Sequence, residues 1–196
     1  MFICHRINTI KSLNQIPPGY GVELDLRDNT NGQIIINHEP FEEGENFENY
    51  IKNYNHLFII LNIKSEGIEI KVLELLKKYE IKNYFFLDCS FPMINKLINL
   101  GEKKIALRYS EYESIETVLS LKGKVDWVWV DCFTKIPINV KDYEILKKWF
   151  KLCFVSPELQ NQEDKLEKYK NYLSKNNIIF DAICTKYYCV KKWVSL

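Results

Sequence analysis

The sequence predicts an α/β fold, a compact (β/α)8 TIM barrel with short or missing helices, as a single domain over residues 1–196. First, short apolar runs rich in Val, Ile, Phe, Tyr and Trp alternate with longer charged segments in which apolar residues recur at helical spacing. Second, eight such runs occur, which favours a parallel sheet covered by helices. Third, 196 residues suit one domain, although about 250 are usual for this architecture.

The apolar runs define eight predicted strands. They cover residues 2–4, 21–26, 57–63, 84–87, 104–108, 126–130, 151–155 and 178–184. Residues 34–37 form a further apolar piece that we expect to pair as a hairpin. An open doubly wound sheet is the alternative arrangement, but it calls for a glycine-rich phosphate turn, and the sequence has none.

Helices are predicted between the strands wherever apolar residues recur every three or four positions. The pattern is clear in residues 67–79, 141–150 and 160–175, and weaker in 8–15, 46–55, 92–100 and 112–121. The first connection, residues 7–19, is short, and little chain follows the eighth strand. We therefore expect a complete ring of strands inside an incomplete layer of helices.

Composition excludes several classes of protein. Hydrophobic residues make up 46% of the chain, and 27 Lys and Arg against 26 Asp and Glu give a net charge of +1. This balance provides no general attraction to nucleic acid or to an anionic membrane, so we expect neither as a partner. The apolar runs are too short to span a bilayer, and the N-terminus is unlike a signal peptide. Six cysteines without a CxxC spacing indicate reduced thiols and a cytoplasmic location.

The second predicted strand carries two carboxylates on one face. In the run from Val22 to Arg27, the period of two places the apolar side chains toward the helices, and Glu23 and Asp25 toward the barrel interior. Two carboxylates on one inward face repel each other and need a compensating cation. A hard divalent metal bound by oxygen ligands is one candidate, and an internal Arg27 or Lys64 is the other.

Ionisable or hydroxyl groups follow every predicted strand. In a barrel, the carboxyl ends of the strands meet on one face, where the site forms. Singly, each group is compatible with a helix cap or a salt bridge, but together they form the polar rim that a charged ligand needs. They are His5 and Arg6; His38; Asn62 and Lys64; Asp88 and Ser90; Arg108, Ser110 and Glu111; Asp131; Ser156 and Glu158; and Lys186.

The order of these residues resembles the glycerophosphodiester phosphodiesterases, which belong to the wider phospholipase C-like phosphodiesterase superfamily. His5-Arg6 comes first, followed by Glu23-x-Asp25 and then by His38, fifteen residues after the Glu. Further similarities are the Asn-x-Lys at residues 62–64, where the family often has Glu-x-Lys, VSPEL at 155–159 and CTKY at 184–187. The resemblance spans nearly the whole chain, with the motifs in the expected order.

The resemblance implies a metal-dependent phosphodiesterase that acts on a small phosphodiester. In this interpretation His5 and His38 are the general acid and base, in an order that the sequence leaves open. The implied ligands of one divalent metal, Mg²⁺ or Ca²⁺, are Glu23, Asp25 and Asn62. The implied phosphate contacts are Arg6 and Lys64. From their positions after predicted strands, Arg108 and Lys186 are further candidates for phosphate binding, and Glu111 and Glu158 are candidates for substrate contact.

Departures from the family pattern keep other functions open. Asn62 stands in place of the third carboxylate ligand, Lys186 in place of the Asp near strand 8, and Ile7 in place of a glycine. A neutral amide removes one negative charge from the metal site and weakens metal binding. One alternative is therefore a catalytically weakened barrel that binds a phosphorylated ligand. Another is a lyase or transferase on the same scaffold, because a fold does not fix a reaction.

Overall fold

The computed structural model describes residues 1–194, and its strands are arranged around one apolar interior. In chain order they are β1 (Phe2–Cys4), β2 (Gly21–Asp28), β3 (Ile34–Ile36), β4 (Glu45–Asn46), β5 (Ile59–Ile63), β6 (Tyr84–Leu87), β7 (Ala106–Tyr109), β8 (Trp127–Val130), β9 (Lys151–Val155) and β10 (Ala182–Thr185). The short strands β3 and β4 extend β2 as an antiparallel hairpin, so the predicted hairpin piece is confirmed.

The remaining eight described strands are parallel, and neighbours in the ring follow chain order. β1 pairs with β2, β2 with β5 and β5 with β6, while β7 to β10 pair in succession and β10 returns to β1. β6 and β7 are joined by the bridge between Phe86 and Ile105, where the Phe86 N–H donates to the Lys104 carbonyl at 2.9 Å. This sparsely bonded junction, called the seam below, completes the predicted barrel.

Helices surround the ring. They are α1 (Ile10–Leu13), α2 (Phe47–Lys52), α3 (Glu69–Lys78), α4 (Phe91–Asn99), α5 (Ile115–Leu119), α6 (Val140–Lys147), α7 (Leu166–Lys175) and α8 (Val190–Val194). The predicted helices are present, and the first connection holds only the four residues of α1. The predicted helix over 160–175 begins later, because 3₁₀ turns occupy Pro157–Gln160 and Glu163–Lys165. Within residues 1–194, no helix has both the length and the apolar character needed to cross a membrane.

Side-chain caps explain where several helices begin. Thr9, Asn46, Ser90, Ser114 and Asn139 each accept a hydrogen bond from a backbone N–H in the first turn of the helix that follows. Such a bond satisfies one of the N–H groups that lack a partner at a helix start. The caps set where the helices start and thereby how long the loops above the strands are.

The side chains of β2 separate the two layers of the core. Leu24 and its apolar neighbours pack in the layer between strands and helices, whereas Glu23 and Asp25 are 0% exposed on the inward side, as predicted. Trp127 and Trp129 fill the barrel interior and are core residues. An interior this tightly filled leaves its polar groups at the carboxyl ends of the strands.

Candidate active site

A small polar cavity of about 160 Å³ opens at the carboxyl ends of the strands. These ends meet on one face, so residues that are far apart in sequence become neighbours. The predicted site residues in its walls are His5, Arg6, Asp25, His38, Asn62, Lys64 and Arg108. Residues that the sequence analysis did not assign to the site also contribute, namely Asp88, Trp129, Asp131 and Gln160.

Glu23 and Asp25 are held by hydrogen bonds. Glu23 accepts from the Arg6 backbone N–H at 2.8 Å and from the Asn62 side-chain amide at 2.9 Å. Asp25 Oδ2 accepts from Asn8 Nδ2 at 2.9 Å, and its own N–H donates to Asn8 Oδ1 at 3.1 Å. Burial raises the pKa of both carboxyls, and for Asp25 the charge of Glu23 raises it further. Two crowded, buried carboxylates are therefore the principal electrostatic feature of the site.

Two buried oxygens of the site have no hydrogen-bond donor: Asp25 Oδ1 and Asn62 Oδ1. The strand register pairs these two residues across β2 and β5, and Lys64 Nζ lies 3.7 Å from Asp25 Oδ1. Carboxylate and amide oxygens are the ligands that Mg²⁺ and Ca²⁺ prefer, so this donor set fits a hard divalent cation. Within residues 1–194, no three His, Cys, Asp or Glu side chains are grouped to hold a metal. Such a site therefore depends on the Asn62 amide.

His5 is held next to Lys186. The Lys186 Nζ lies 3.1 Å from His5 Nδ1. An ammonium group can only donate, so Nδ1 accepts and the ring proton is on Nε2, which lies 3.7 Å from Glu23 Oε2. Burial, together with the charges of Lys186 and Arg6, lowers the pKa of His5 to about 3. His5 is therefore a neutral imidazole with an Nε2–H donor.

His38 lies on the loop between β3 and β4, and Arg27 holds that loop. The Arg27 guanidinium donates to the His38 carbonyl from Nε at 3.1 Å and from Nη2 at 2.9 Å. His38 Nδ1 lies 2.6 Å from Glu39 Oε1. A carboxylate accepts hydrogen bonds, so the Nδ1 of His38 carries a proton. The Nδ1 of His38 therefore donates, whereas the Nδ1 of His5 accepts.

The cations of the cavity already have carboxylate partners. Arg108 hydrogen bonds to Asp88 and to Asp131, and its Nε lies 3.6 Å from a Glu113 oxygen. Lys64 Nζ donates to Asp88 Oδ2 at 3.2 Å. Asp131 also accepts from Gln160 at 2.8 Å and from the Trp129 indole at 3.2 Å. The predicted phosphate contacts Lys64 and Arg108 are thus embedded in an ion-pair network.

Two residues of the cavity wall have left-handed backbone conformations. Arg6 has φ 55° and Asp88 has φ 60°, a region that non-glycine residues seldom adopt. At Arg6 the conformation directs the backbone N–H to Glu23 at 2.8 Å. Such strain is concentrated at functional sites.

Both predicted substrate contacts, Glu111 and Glu158, lie outside the walls of the cavity, as do the predicted metal ligand Glu23 and the predicted phosphate contact Lys186. Glu158 is buried and accepts from the hydroxyls of Ser156 and Thr185 and from the Lys186 N–H. Glu111 accepts from the Thr134 N–H and hydroxyl and holds the loop after β8. These carboxylates organise the chain around the site.

Besides Trp129, four residues of the site were not predicted from the sequence: Asn8, Asp88, Asp131 and Gln160. Asp88 and Asp131 were noted at strand ends but belong to no family motif. Asn8 and Gln160 lie on connections, and only the folded chain brings them to Asp25 and Asp131. Their signal in the sequence was limited to polarity near a strand end.

No family model matches the sequence, and no curated protein matches it either. Solved structures do resemble it. A protein described as a glycerophosphodiester phosphodiesterase from Galdieria sulphuraria matches with a TM-score of 0.70 and 17% identity, covering 95% of this chain and 93% of that one. The glycerophosphodiester phosphodiesterase of Thermotoga maritima matches with a TM-score of 0.64 and 19% identity, covering 94% and 93%.

A third structure supports the same conclusion. A glycerophosphoryl diester phosphodiesterase from Parabacteroides distasonis has a TM-score of 0.68 at 10% identity and covers 100% of this chain and 86% of that one. The fold is therefore a TIM barrel similar to that of these glycerophosphodiester phosphodiesterases. The resemblance predicted from the motif order is confirmed at the level of the fold.

Proposed function

We propose that this protein is a metal-dependent phosphoric diester hydrolase that cleaves a small phosphodiester. One observation carries the proposal: His5, His38 and the buried Asp25 line one cavity at the carboxyl end of this barrel, and the buried Glu23 lies 3.7 Å from His5. Phosphodiester cleavage needs a cation near the nonbridging oxygens, a base for the nucleophile and a donor for the leaving oxygen. The chain offers a group for each of these tasks.

The candidate metal ligands are Glu23, Asp25 and Asn62. A bound Mg²⁺ or Ca²⁺ would supply positive charge for the nonbridging phosphate oxygens. The electrostatics of the cavity favour this interpretation, because its basic side chains are already paired with carboxylates and attract a further anion poorly. The unpartnered oxygens of Asp25 and Asn62 are also the atoms that gain most from a cation.

The contacts at Nδ1 suggest how the histidines divide the work. His38 has its Nδ1 bound to Glu39, so in the neutral ring the lone pair is on Nε2, which suits a general base for the attacking hydroxyl. His5 presents an Nε2–H, which suits a donor to the leaving oxygen or a phosphate oxygen. Lys186 behind His5 and Arg6 beside Asp25 add positive charge on the same side of the site.

The test is a panel of phosphodiesters assayed for alcohol release with Mg²⁺, Ca²⁺, Mn²⁺ or a chelator. We expect turnover of a phosphodiester that requires the metal. We also expect this turnover to be lost in the variants His38→Ala and Asp25→Asn. Asp28→Asn is the matched control, because it makes the same change at an exposed position of the same strand. Turnover that persists in His38→Ala or in chelator would contradict the proposal.

One observation favours a second candidate, a barrel that binds a phosphorylated ligand without cleaving it. Lys64 Nζ lies 3.7 Å from Asp25 Oδ1, and the third ligand position holds an uncharged amide. In this candidate Lys64 supplies the compensating charge in place of a metal. It predicts that phosphate esters bind by calorimetry in chelator, with no product formed.

A further inference from the structure

A second cavity opens beside the candidate active site, at the seam between β6 and β7, with a volume of about 320 Å³. Leu87, Asp88 and Arg108 line both this seam cavity and the phosphate-sized cavity of about 160 Å³. The two spaces therefore share a wall. The backbone pairing of β6 with β7 is sparse, since within residues 1–194 it consists of the bridge between Phe86 and Ile105, and this lets the space open through the barrel wall.

The seam cavity differs from its neighbour in chemical character. Its floor consists of the buried side chains of Leu87, Ile94, Ala106 and Leu107. Phe91, at the start of α4, also lines it and is 54% exposed. Ser90, Glu113 and Thr117 add polar groups to its wall. An exposed apolar side chain such as Phe91 gains free energy when an apolar group covers it, so this cavity favours an aliphatic group more than its polar neighbour does.

Arg108 separates the two cavities and contacts both. Its guanidinium binds Asp131, which lines the phosphate-sized cavity, and its Nε lies 3.6 Å from Glu113, which lines the seam cavity. Ligand pockets of proteins usually measure about 300–1,000 Å³, so the smaller cavity accommodates a phosphate group but not its substituents. The seam cavity, which shares Arg108 with the smaller one, has room for such a substituent.

We propose that the seam cavity binds an alkyl chain carried by one of the two alcohols of the phosphodiester. The preferred substrate is then an amphiphilic diester, with one polar and one aliphatic alcohol. This inference rests on the proposed function of the adjoining site. The floor residues, together with α4 and α5, then form a surface that determines substrate specificity. This surface is separate from the groups that act on phosphorus.

The test is a series of glycerol phosphodiesters whose second alcohol is ethanol, butanol, hexanol or octanol. Each buried methylene is worth about a twofold to fourfold gain in kcat/KM, continuing until the cavity is full. The alkyl chain is remote from the reacting atoms, so the gain in kcat/KM comes from a lower KM, and kcat stays nearly constant. A kcat/KM that is independent of chain length overturns the inference.

A matched pair of variants locates the effect. Thr117 lines the seam cavity from α5, and a Trp at this exposed position has the bulk to occupy the space. In the wild type, KM should fall from the ethyl to the octyl ester. Thr117→Trp is expected to reduce the ratio of these two KM values at least fivefold. Glu116→Trp, the adjacent exposed position outside the cavity, keeps the wild-type dependence. Equal slopes in the two variants overturn the assignment.

Binding measurements separate failure of this inference from failure of the proposed function. Calorimetry with the same esters reports the chain-length dependence whether or not they are cleaved. Turnover without a chain-length effect refutes the seam subsite and leaves the hydrolase intact. Chain-length-dependent binding that Thr117→Trp removes, without turnover, supports the subsite and refutes the hydrolase. Neither turnover nor graded binding refutes both.

Discussion

Lys186 Nζ lies 3.1 Å from His5 Nδ1, a contact that links the residue after the last strand of the barrel to the residue after the first. The pairing of Cys4 with Thr185 in the β1–β10 ladder makes these two positions adjacent. Closure of the barrel therefore sets which nitrogen of His5 carries the proton. Lys186, which stands where the family pattern has Asp, therefore determines the tautomer of His5.

Replacing Lys186 with Met should raise the pKa of His5. Burial and the Lys186 charge lower that pKa to about 3, and the variant removes the charge but not the burial. The pKa should rise while remaining below the usual value for histidine. An NMR pH titration of the His5 ring protons measures it, with the exposed Lys175→Met as control. An unmoved His5 titration would show that Lys186 does not control it.

The periodicity of β2 was sufficient to predict the inward carboxylates. The apolar face of the strand packs against the helices, so the opposite, polar face points into the barrel. Arg108 illustrates the limit. Its predicted role as a phosphate contact followed from its place at a strand end. In the structure it binds Asp88 and Asp131, which directly follow strands β6 and β8 on either side of β7. Such pairings depend on the register of the ring, which the sequence does not specify.

Helix α8 shows a second limit. Residues 190–194 form a helix that the sequence analysis did not predict, because five residues are too few to establish a helical period. Its Trp193 indole donates to Ser156 Oγ at 2.8 Å, and Ser156 in turn donates to Glu158. A short terminal element thus supports the carboxylate network below the site.

Replacing Thr185 with Val should destabilise the fold. The Thr185 hydroxyl is buried and donates to Glu158 Oε1, and Val has the same shape without the donor. Leaving a buried acceptor short of a partner costs about 1–3 kcal/mol. Urea denaturation measures the loss in the free energy of unfolding, with the exposed Thr30→Val as the comparison. Equal stability of the two variants would exclude a structural role for this hydrogen bond.

Replacing Asp25 with Asn should stabilise the metal-free protein at neutral pH. Burial and Glu23 raise the pKa of Asp25 in the folded state. A carboxyl with a raised folded pKa stabilises the fold at low pH, and this contribution is lost as the pH rises through that pKa. Removing the charge should raise Tm by about 2–4 °C at pH 7, or about 1 kcal/mol.

The pH dependence provides the check on that prediction. The gain in Tm for Asp25→Asn should shrink as the pH is lowered toward the usual carboxyl range, because wild-type Asp25 is then protonated as well. Asp28→Asn, exposed on the same strand, should give no such trend. Thermal melts from pH 4 to pH 8 in chelator measure both. A constant difference across that range would mean that repulsion from Glu23 does not limit stability.

Replacing Asn62 with Asp should strengthen divalent cation binding and weaken the metal-free fold. The amide donates to Glu23 Oε1 at 2.9 Å, so the variant loses this hydrogen bond and adds a third carboxylate. Affinity for Ca²⁺ and Mg²⁺ increases with the number of charged ligands, and we expect at least a tenfold decrease in Kd by calorimetry. Without metal, Tm should fall because like charges are buried together.

The control for this prediction is Asn31→Asp, which is exposed in the turn before β3 and adds the same charge elsewhere. If both variants bind Ca²⁺ equally, the metal does not sit beside Asn62, and Lys64 becomes the better candidate for the compensating charge.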